Sequence, residues 1–164
     1  ERVERAAFVG TDAAIVLPYD PKTDRVLLVE QFRFGPFVRA DAYPWMMEPV
    51  AGRIDAGETP QAAAIRESFE EAGLKIGNLH SVHSGYSSPG CSSEYFHIFV
   101  GLAEIDEAAA IVSGLQEEAE DIRGHVLSFD EFYHRLTHHK LPVVPLALAG
   151  YWLAQNRDKL RKNS

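Results

Sequence analysis

The sequence predicts an α+β fold or a three-layer α/β sandwich, and three observations carry that prediction. Short β-branched and apolar segments lead, and helical patterns interleave late. The segment "RVLLVEQFRF" is apolar almost without interruption, as a strand covered on both faces should be. Residues 60 to 72 carry a full set of helix signals. Thr59 can cap the first turn, Pro60 fits within it, and Gly73 supplies a left-handed residue past the end.

The elements follow in order. "AAFVGTDAAIVLPYD" supplies a strand or two, broken near Gly10, Thr11 and Asp12. "DPKTD" is a turn, with Pro21 fixing φ and Asp20 able to bond its own backbone. "RVLLVEQFRF" is the partner strand. "GPFVRADAYP" reads as a loop, and "WMMEPVAGRI" as extended chain, because Pro49 discourages helix before it. In the 60–72 helix, Ala62, Ile65, Phe69 and Ala72 share a stripe at about 100° per residue. That stripe is expected to pack on a sheet, with Glu67, Glu70 and Glu71 facing outward together. "LHSVHSGY" and "EYFHIFVGLA" read as strands on either side of the turn "SSPGCSS". "GLQEEAED" is an acidic loop and "IRGHVLSF" another strand. "SFDEFYHRLTHHK" is a helix capped by Ser128, with Glu131 at the capping-box position. "PVVPLALAGYWLAQNRDKL" is the last helix, kinked or begun at Pro145. No internal repeat or low-complexity segment stands out.

The 164 residues read as a single domain, 1–164, long enough to bury a core. Nine Phe, six Tyr and two Trp argue against disorder. A formal charge of -8 argues against non-specific nucleic-acid binding and against docking on anionic membrane. It leaves room for a small anionic ligand, since a bound divalent cation reverses the local sign. The lone Cys91 cannot make an internal disulfide, which suits a reducing cytoplasm. No apolar run is long enough to span a bilayer. The chain begins at Glu1 rather than Met, which leaves an upstream segment or domain open.

Within "RESFEEAGL", Glu67, Glu70 and Glu71 stand at i, i+3 and i+4, where like charges repel. Either a cation sits there or this is a solvated helix face. The wider stretch "GRIDAGETPQAAAIRESFEEAGL" resembles the signature of the Nudix hydrolases, G-x5-E-x7-R-E-U-x-E-E-x-G-U with U bulky and apolar. Gly52, Glu58, Arg66, Glu67, Glu70, Glu71, Gly73 and Leu74 match, and Ser68 departs from it. Ser68 lies at the edge of the stripe and removes no ligand.

The resemblance implies a Nudix-type α/β/α sandwich with a mixed central sheet, and hydrolysis of a diphosphate with Mg²⁺, or alternatively Mn²⁺. Mg²⁺ is hard, prefers oxygen and bridges to substrate phosphates, which suits carboxylates converging at this spacing. The implied metal ligands are the Ala51 carbonyl, Glu67, Glu70, Glu71 and Glu120. Arg66 is expected to pair with Glu58 or Glu70 and hold the acids in register.

Outside this box, three stretches resemble the ADP-ribose pyrophosphatase-like branch. Pro89 lies fifteen positions beyond Leu74. "LLVEQFRFG" with "PWMMEPVAG" is similar to the segment before the box, so Arg33 matches an arginine that contacts a substrate phosphate. "EEAEDIRGHVLS" is similar to a loop that supplies a catalytic glutamate, Glu118 by register, and the further ligand Glu120. Thus the resemblance implies Glu118, Glu120, Glu71 and Arg66 in catalysis and Arg33 at the substrate, while Ser88 and Glu94, flanking the Pro89 turn, are expected to touch the terminal ribose of the substrate or a metal. Glu48 either supports the site or is a structural carboxylate. The histidines form no metal pattern, His138 and His139 being adjacent on a helix, and Trp45 and Trp152 read as core or interface.

The expected activity is cleavage of a nucleoside diphosphate sugar, foremost ADP-ribose to AMP and ribose 5-phosphate. The alternatives are another nucleotide sugar such as GDP-mannose, or a non-catalytic nucleotide-sensing module. The intact box glutamates argue against the last. The resemblance also implies a homodimer whose interface uses N-terminal strands, although little chain precedes the first core strand here.

Overall fold

The computed structural model describes residues 2–106, 112–113 and 121–163. Eight strands are joined in one mixed sheet: β1 Ala13–Asp20, β2 Arg25–Phe32, β3 Trp45–Glu48, β4 Val50–Arg53, β5 Leu79–Tyr86, β6 Tyr95–Leu102, β7 Val112–Ser113 and β8 Ile122–Ser128. Four helices accompany them among the described residues: α1 Phe34–Val38, α2 Pro60–Ala72, α3 Phe129–Thr137 and α4 Val144–Lys162. The main order is β5-β6-β1-β2-β8-β7. β1 and β6 run parallel, while β1 pairs β2 and β4 antiparallel.

The nearly continuous apolar run of β2 does cover two faces, with Val26 and Leu28 in one core cluster and Leu27 and Val29 in another, and β1 is built the same way. Ala14 and Val16 of β1 meet Ala63 and Ala64 of α2 on one side of the sheet. Ile15, Leu17 and Tyr19, pointing the other way, join Phe132, Leu136, Leu146 and Leu153 of α3 and α4. Side-chain alternation along one strand therefore builds three layers, helix on sheet on helix. Among the described residues, no helix is long and apolar enough to cross a membrane.

The β1–β2 hairpin holds together only near its turn, at Tyr19↔Val26 and Asp20↔Arg25. Beyond these pairs the two strands splay. β4 pairs along Ala13–Val16 of β1, and β3 along Val29–Phe32 of β2. The chain changes neighbours at Pro49, which lacks the N–H a central ladder would require. The splay opens a cleft between the two pairs.

The β1–β2 turn is tied down by acids. Asp20, almost fully buried, accepts backbone N–H groups from Lys22 at 2.9 Å and Ile105 at 3.2 Å. Asp24 takes the Tyr19 hydroxyl at 2.8 Å, Arg157 Nε at 2.9 Å and Arg161. Arg157 also lies over the Phe129 ring, 4.2 Å from its centre, so α4 is fastened to the turn. Ser128 caps α3 by accepting Glu131 N–H at 3.2 Å, as expected.

Three expectations need correction. The "GPFVRADAYP" segment contains a helical turn, α1, with Pro36 in the first turn where no intrahelical donor is required. His138 is the C-cap of α3 and His139 lies past it at φ +56°, so they are not two helical neighbours. The third concerns α2. Its caps are as expected: Thr59 Oγ1 accepts Ala62 N–H, and Gly73 sits at φ +64°. Its buried side is different. Ala63, Ala64, Ser68 and Glu71 face inward, while Ile65 and Phe69 are 44% and 58% exposed. Small side chains let the helix approach β1 closely, and that orientation turns the glutamates toward β4 instead of outward. Ser68 is fully buried and donates its hydroxyl to the Ala64 carbonyl at 2.7 Å, which satisfies its polar atom in place of an apolar side chain.

Candidate active site

A cleft of about 1060 Å³ opens where the strands splay. One wall comes from α2 and the loop before it: Asp55, Arg66, Glu67, Glu70 and Glu71. The cleft's apolar wall has Ala13 and Ile15 of β1, Phe96 of β6, and Val143 and Pro145 at the start of α4. Arg33, Glu48 and Pro49, Ala51, Gly52 and Arg53 of β4, and Glu94 also line the space.

Arg66 organises the acidic wall. Its Nε and Nη2 donate to the two oxygens of Glu58 at 3.1 and 3.0 Å. Nη1 donates to Glu67 at 2.7 Å and to Glu70 at 2.9 Å. Nη2 also donates to the Arg53 carbonyl at 2.9 Å, tying helix to strand. The expected pairing with Glu58 or Glu70 is thus with both, and with Glu67 as well. The hydrogen bonds to Glu58 come first among the causes that raise the guanidinium's pKa. In return, Arg66 and the Asp55 N–H hold the Glu58 carboxyl below its usual range.

Glu67 and Glu71 reach β4. The Glu67 carboxylate lies directly on Gly52, where any added Cβ would stand 1.9 Å from its Cδ. Only glycine leaves room for the carboxylate against the strand. Glu71, 4% exposed, accepts the Ala51 N–H at 3.2 Å. A buried carboxylate needs such a donor or a cation.

Among the described residues, no three His, Cys, Asp or Glu side chains converge as a ready-made cation cage. The Arg66 guanidinium instead supplies the counter-charge to Glu58, Glu67 and Glu70. The donors nevertheless fit a hard divalent ion: all are oxygens, most are anionic, and the glycine cradle holds one carboxylate against the strand that carries the Ala51 carbonyl.

Arg33 follows β2 as the N-cap of α1, with its backbone pinned on both sides: its N–H donates to the Pro44 carbonyl at 2.9 Å and its carbonyl accepts Phe37 N–H at 3.3 Å. Its Nε and Nη2 both donate to a single Glu48 oxygen, at 2.9 and 2.6 Å.

The residues implied by the sequence are therefore partly brought together. Arg33, Ala51, Arg66, Glu67, Glu70, Glu71 and Glu94 share the cleft. Ser88 is not among the described residues lining it; it sits in the β5–β6 turn with its Oγ 3.3 Å from Cys91 Sγ. Glu118 and Glu120 lie outside the described residues. The apolar wall escaped the sequence reading. Its signal was the strand alternation that places Ala13, Ile15 and Phe96 on one face, with Ala13 and Phe96 side by side in register.

Known proteins resemble this chain along most of its length. A family model described as NUDIX domain matches residues 10–147, which takes in every cleft-lining residue from Ala13 to Pro145. An ADP-ribose pyrophosphatase of Haemophilus influenzae is 37% identical over 164 residues, covering 98% of this chain and 75% of that protein. An ADP-ribose pyrophosphatase of Escherichia coli K12 is 38% identical over 159 residues, covering 97% and 75%. A GDP-mannose pyrophosphatase of Pectobacterium atrosepticum is 34% identical over 127 residues, covering 77% and 64%. With the acidic box, the glycine cradle and both cleft walls inside the matched stretch, this chain belongs to the NUDIX domain family.

Proposed function

We propose that this protein hydrolyses the diphosphate linkage of a nucleoside diphosphate sugar, ADP-ribose foremost, giving AMP and ribose 5-phosphate. The observation that carries the reading is one cleft lined both by Arg33 and by the oxygen donors of Ala51, Glu67, Glu70 and Glu71. A diphosphate needs both features: a forked cation for one phosphoryl group, and a site where divalent charge offsets the rest.

Ala51, Glu67, Glu70, Glu71 and, from the acidic loop, Glu120 would hold the ion, Mg²⁺ or Mn²⁺. Bound there, it supplies neutralising charge to the non-bridging phosphate oxygens. Arg33 orients one phosphoryl group. Arg66 keeps Glu58, Glu67 and Glu70 in register and does not touch the reacting atoms. Glu118 takes the proton of the attacking water as its oxygen bonds to phosphorus and the bridging P–O bond breaks. Glu94, which lines the cleft, would touch the terminal ribose or a metal, and Ser88, in the same turn, would do so only if that turn moved. The reading extends to residues 1–164 as one domain and to a cytoplasmic homodimer.

The test is a panel of nucleotide sugars incubated with the protein and Mg²⁺. Release of AMP and ribose 5-phosphate from ADP-ribose is the expected result. Faster cleavage of GDP-mannose would favour the second reading, which the Pectobacterium relative supports. Cleavage of none would overturn the enzyme reading and leave a nucleotide-sensing module.

A further inference from the structure

Glu48 is the last residue of β3, paired with Val29 of β2. Its side chain is only 12% exposed, yet it lines the cleft. It gives one oxygen, Oε2, to two N–H groups of Arg33. A guanidinium carries five N–H donors in a rigid plane, so two donors fixed on one point set the direction of the others. Pro49 follows at once, and Ala51, the carbonyl assigned above to the ion, is two residues further along β4. The residue that orients the arginine is thus built into the stretch that carries that carbonyl.

Resting on the function proposed above, we infer that Glu48 is a positioning residue for substrate: it aims the Arg33 guanidinium into the cleft and fixes the plane in which that group meets a phosphoryl. Simple electrostatics argues the reverse. A carboxylate beside a diphosphate repels it, and its removal should tighten binding. The two effects differ in sign, which makes them separable. A long, half-buried arginine that loses these two bonds regains rotamer freedom that binding must then freeze out. Glu48 lies in the cleft through its bond to Arg33, so the positioning role should appear in KM and depend on that arginine.

The experiment is a double-mutant cycle in steady-state hydrolysis of ADP-ribose with Mg²⁺, each variant first checked for folding by thermal melting. Glu48→Ala should raise KM about tenfold and leave kcat within about threefold of the parent. Glu48→Gln keeps an acceptor oxygen and should restore KM to within about threefold. In an Arg33→Ala background, Glu48→Ala should change KM by less than about twofold. A fall in KM for Glu48→Ala would show that charge relief prevails and would overturn the inference. So would an undiminished effect in the Arg33→Ala background, or a collapse confined to kcat. Wild-type protein that cleaves no nucleotide sugar would instead remove the functional reading on which the inference rests.

Discussion

Gly52 and Glu67 are in direct contact, with the carboxylate of one occupying the space that a side chain on the other would fill. The contact joins the box helix to the strand beside it. It also makes Gly52→Ala a local lesion. The atom that must give way is the far end of a flexible side chain, so the fold should persist while the carboxylate is displaced. Turnover should fall more than about a hundredfold, since small misplacements of a site group are costly. The melting temperature should drop by no more than about 4 °C. Parallel assays of activity and thermal unfolding check this; a variant that retains full turnover would detach the cradle from catalysis.

Arg66 shields three glutamates from one another. Arg66→Ala should destabilise the protein by about 2 kcal/mol, a figure discounted for partial exposure. Added Mg²⁺ should then raise the melting temperature of the variant more than that of the parent, because the ion replaces the lost cation and stabilises only the folded state. Arg66→Lys should recover part of the loss, as a point charge cannot reproduce the fork. Thermal melts with and without Mg²⁺ read the difference directly.

Glu70→Gln separates catalysis from stability. Arg66 keeps Glu58 and Glu67 as partners, and the lost i,i+4 pair is worth only about 0.5 kcal/mol. Turnover should collapse while the melting temperature without metal stays within about 2 °C of the parent. Unchanged activity here and in Glu71→Gln would remove the box acids from the mechanism.

Acid should destabilise the fold through Asp20 and Asp24. Burial opposes charge on Asp24, but the bonds from Arg157 and Tyr19 outweigh it and hold the carboxyl below its ordinary value of 3.8. Burial likewise opposes charge on Asp20, and the Thr23 hydroxyl and backbone N–H groups prevail. Around that value the folded state binds fewer protons than the unfolded chain. The stabilisation is therefore complete above the ordinary value and lost as pH falls through the folded ones. Asp24→Asn should lower the melting temperature at neutral pH and flatten its acid-side decline. Melts between about pH 3 and pH 7 test both slopes.

Local signals fixed much of this architecture in advance. The α2 caps, the Asp20 turn and the two-faced β2 are legible because each depends on residue types within one short segment. The buried side of α2 was not. Hydrophobicity favours Ile65 and Phe69, yet the close packing of Ala63 and Ala64 on β1 decides the rotation, and size at a helix–sheet contact cannot be read from hydrophobic periodicity. The same rotation brings Glu71 inward to the Ala51 N–H, an interaction between residues twenty positions apart. Only resemblance points to Arg33 as a candidate phosphate contact, and its fastening to Glu48 brings together residues fifteen positions apart, which no short segment encodes.

The change of neighbour at Pro49 has a consequence for how this protein tolerates insertions. Glu48 and Ala51 hang from different strands of the sheet, joined by two residues and no slack. Because facing direction reverses at every step of extended chain, adding or deleting one residue between them would turn either Glu48 or the β4 side chains to the wrong side. Substitutions there can be gradual, but a length change is all-or-none, so growth of the chain belongs in surface connections away from the cleft.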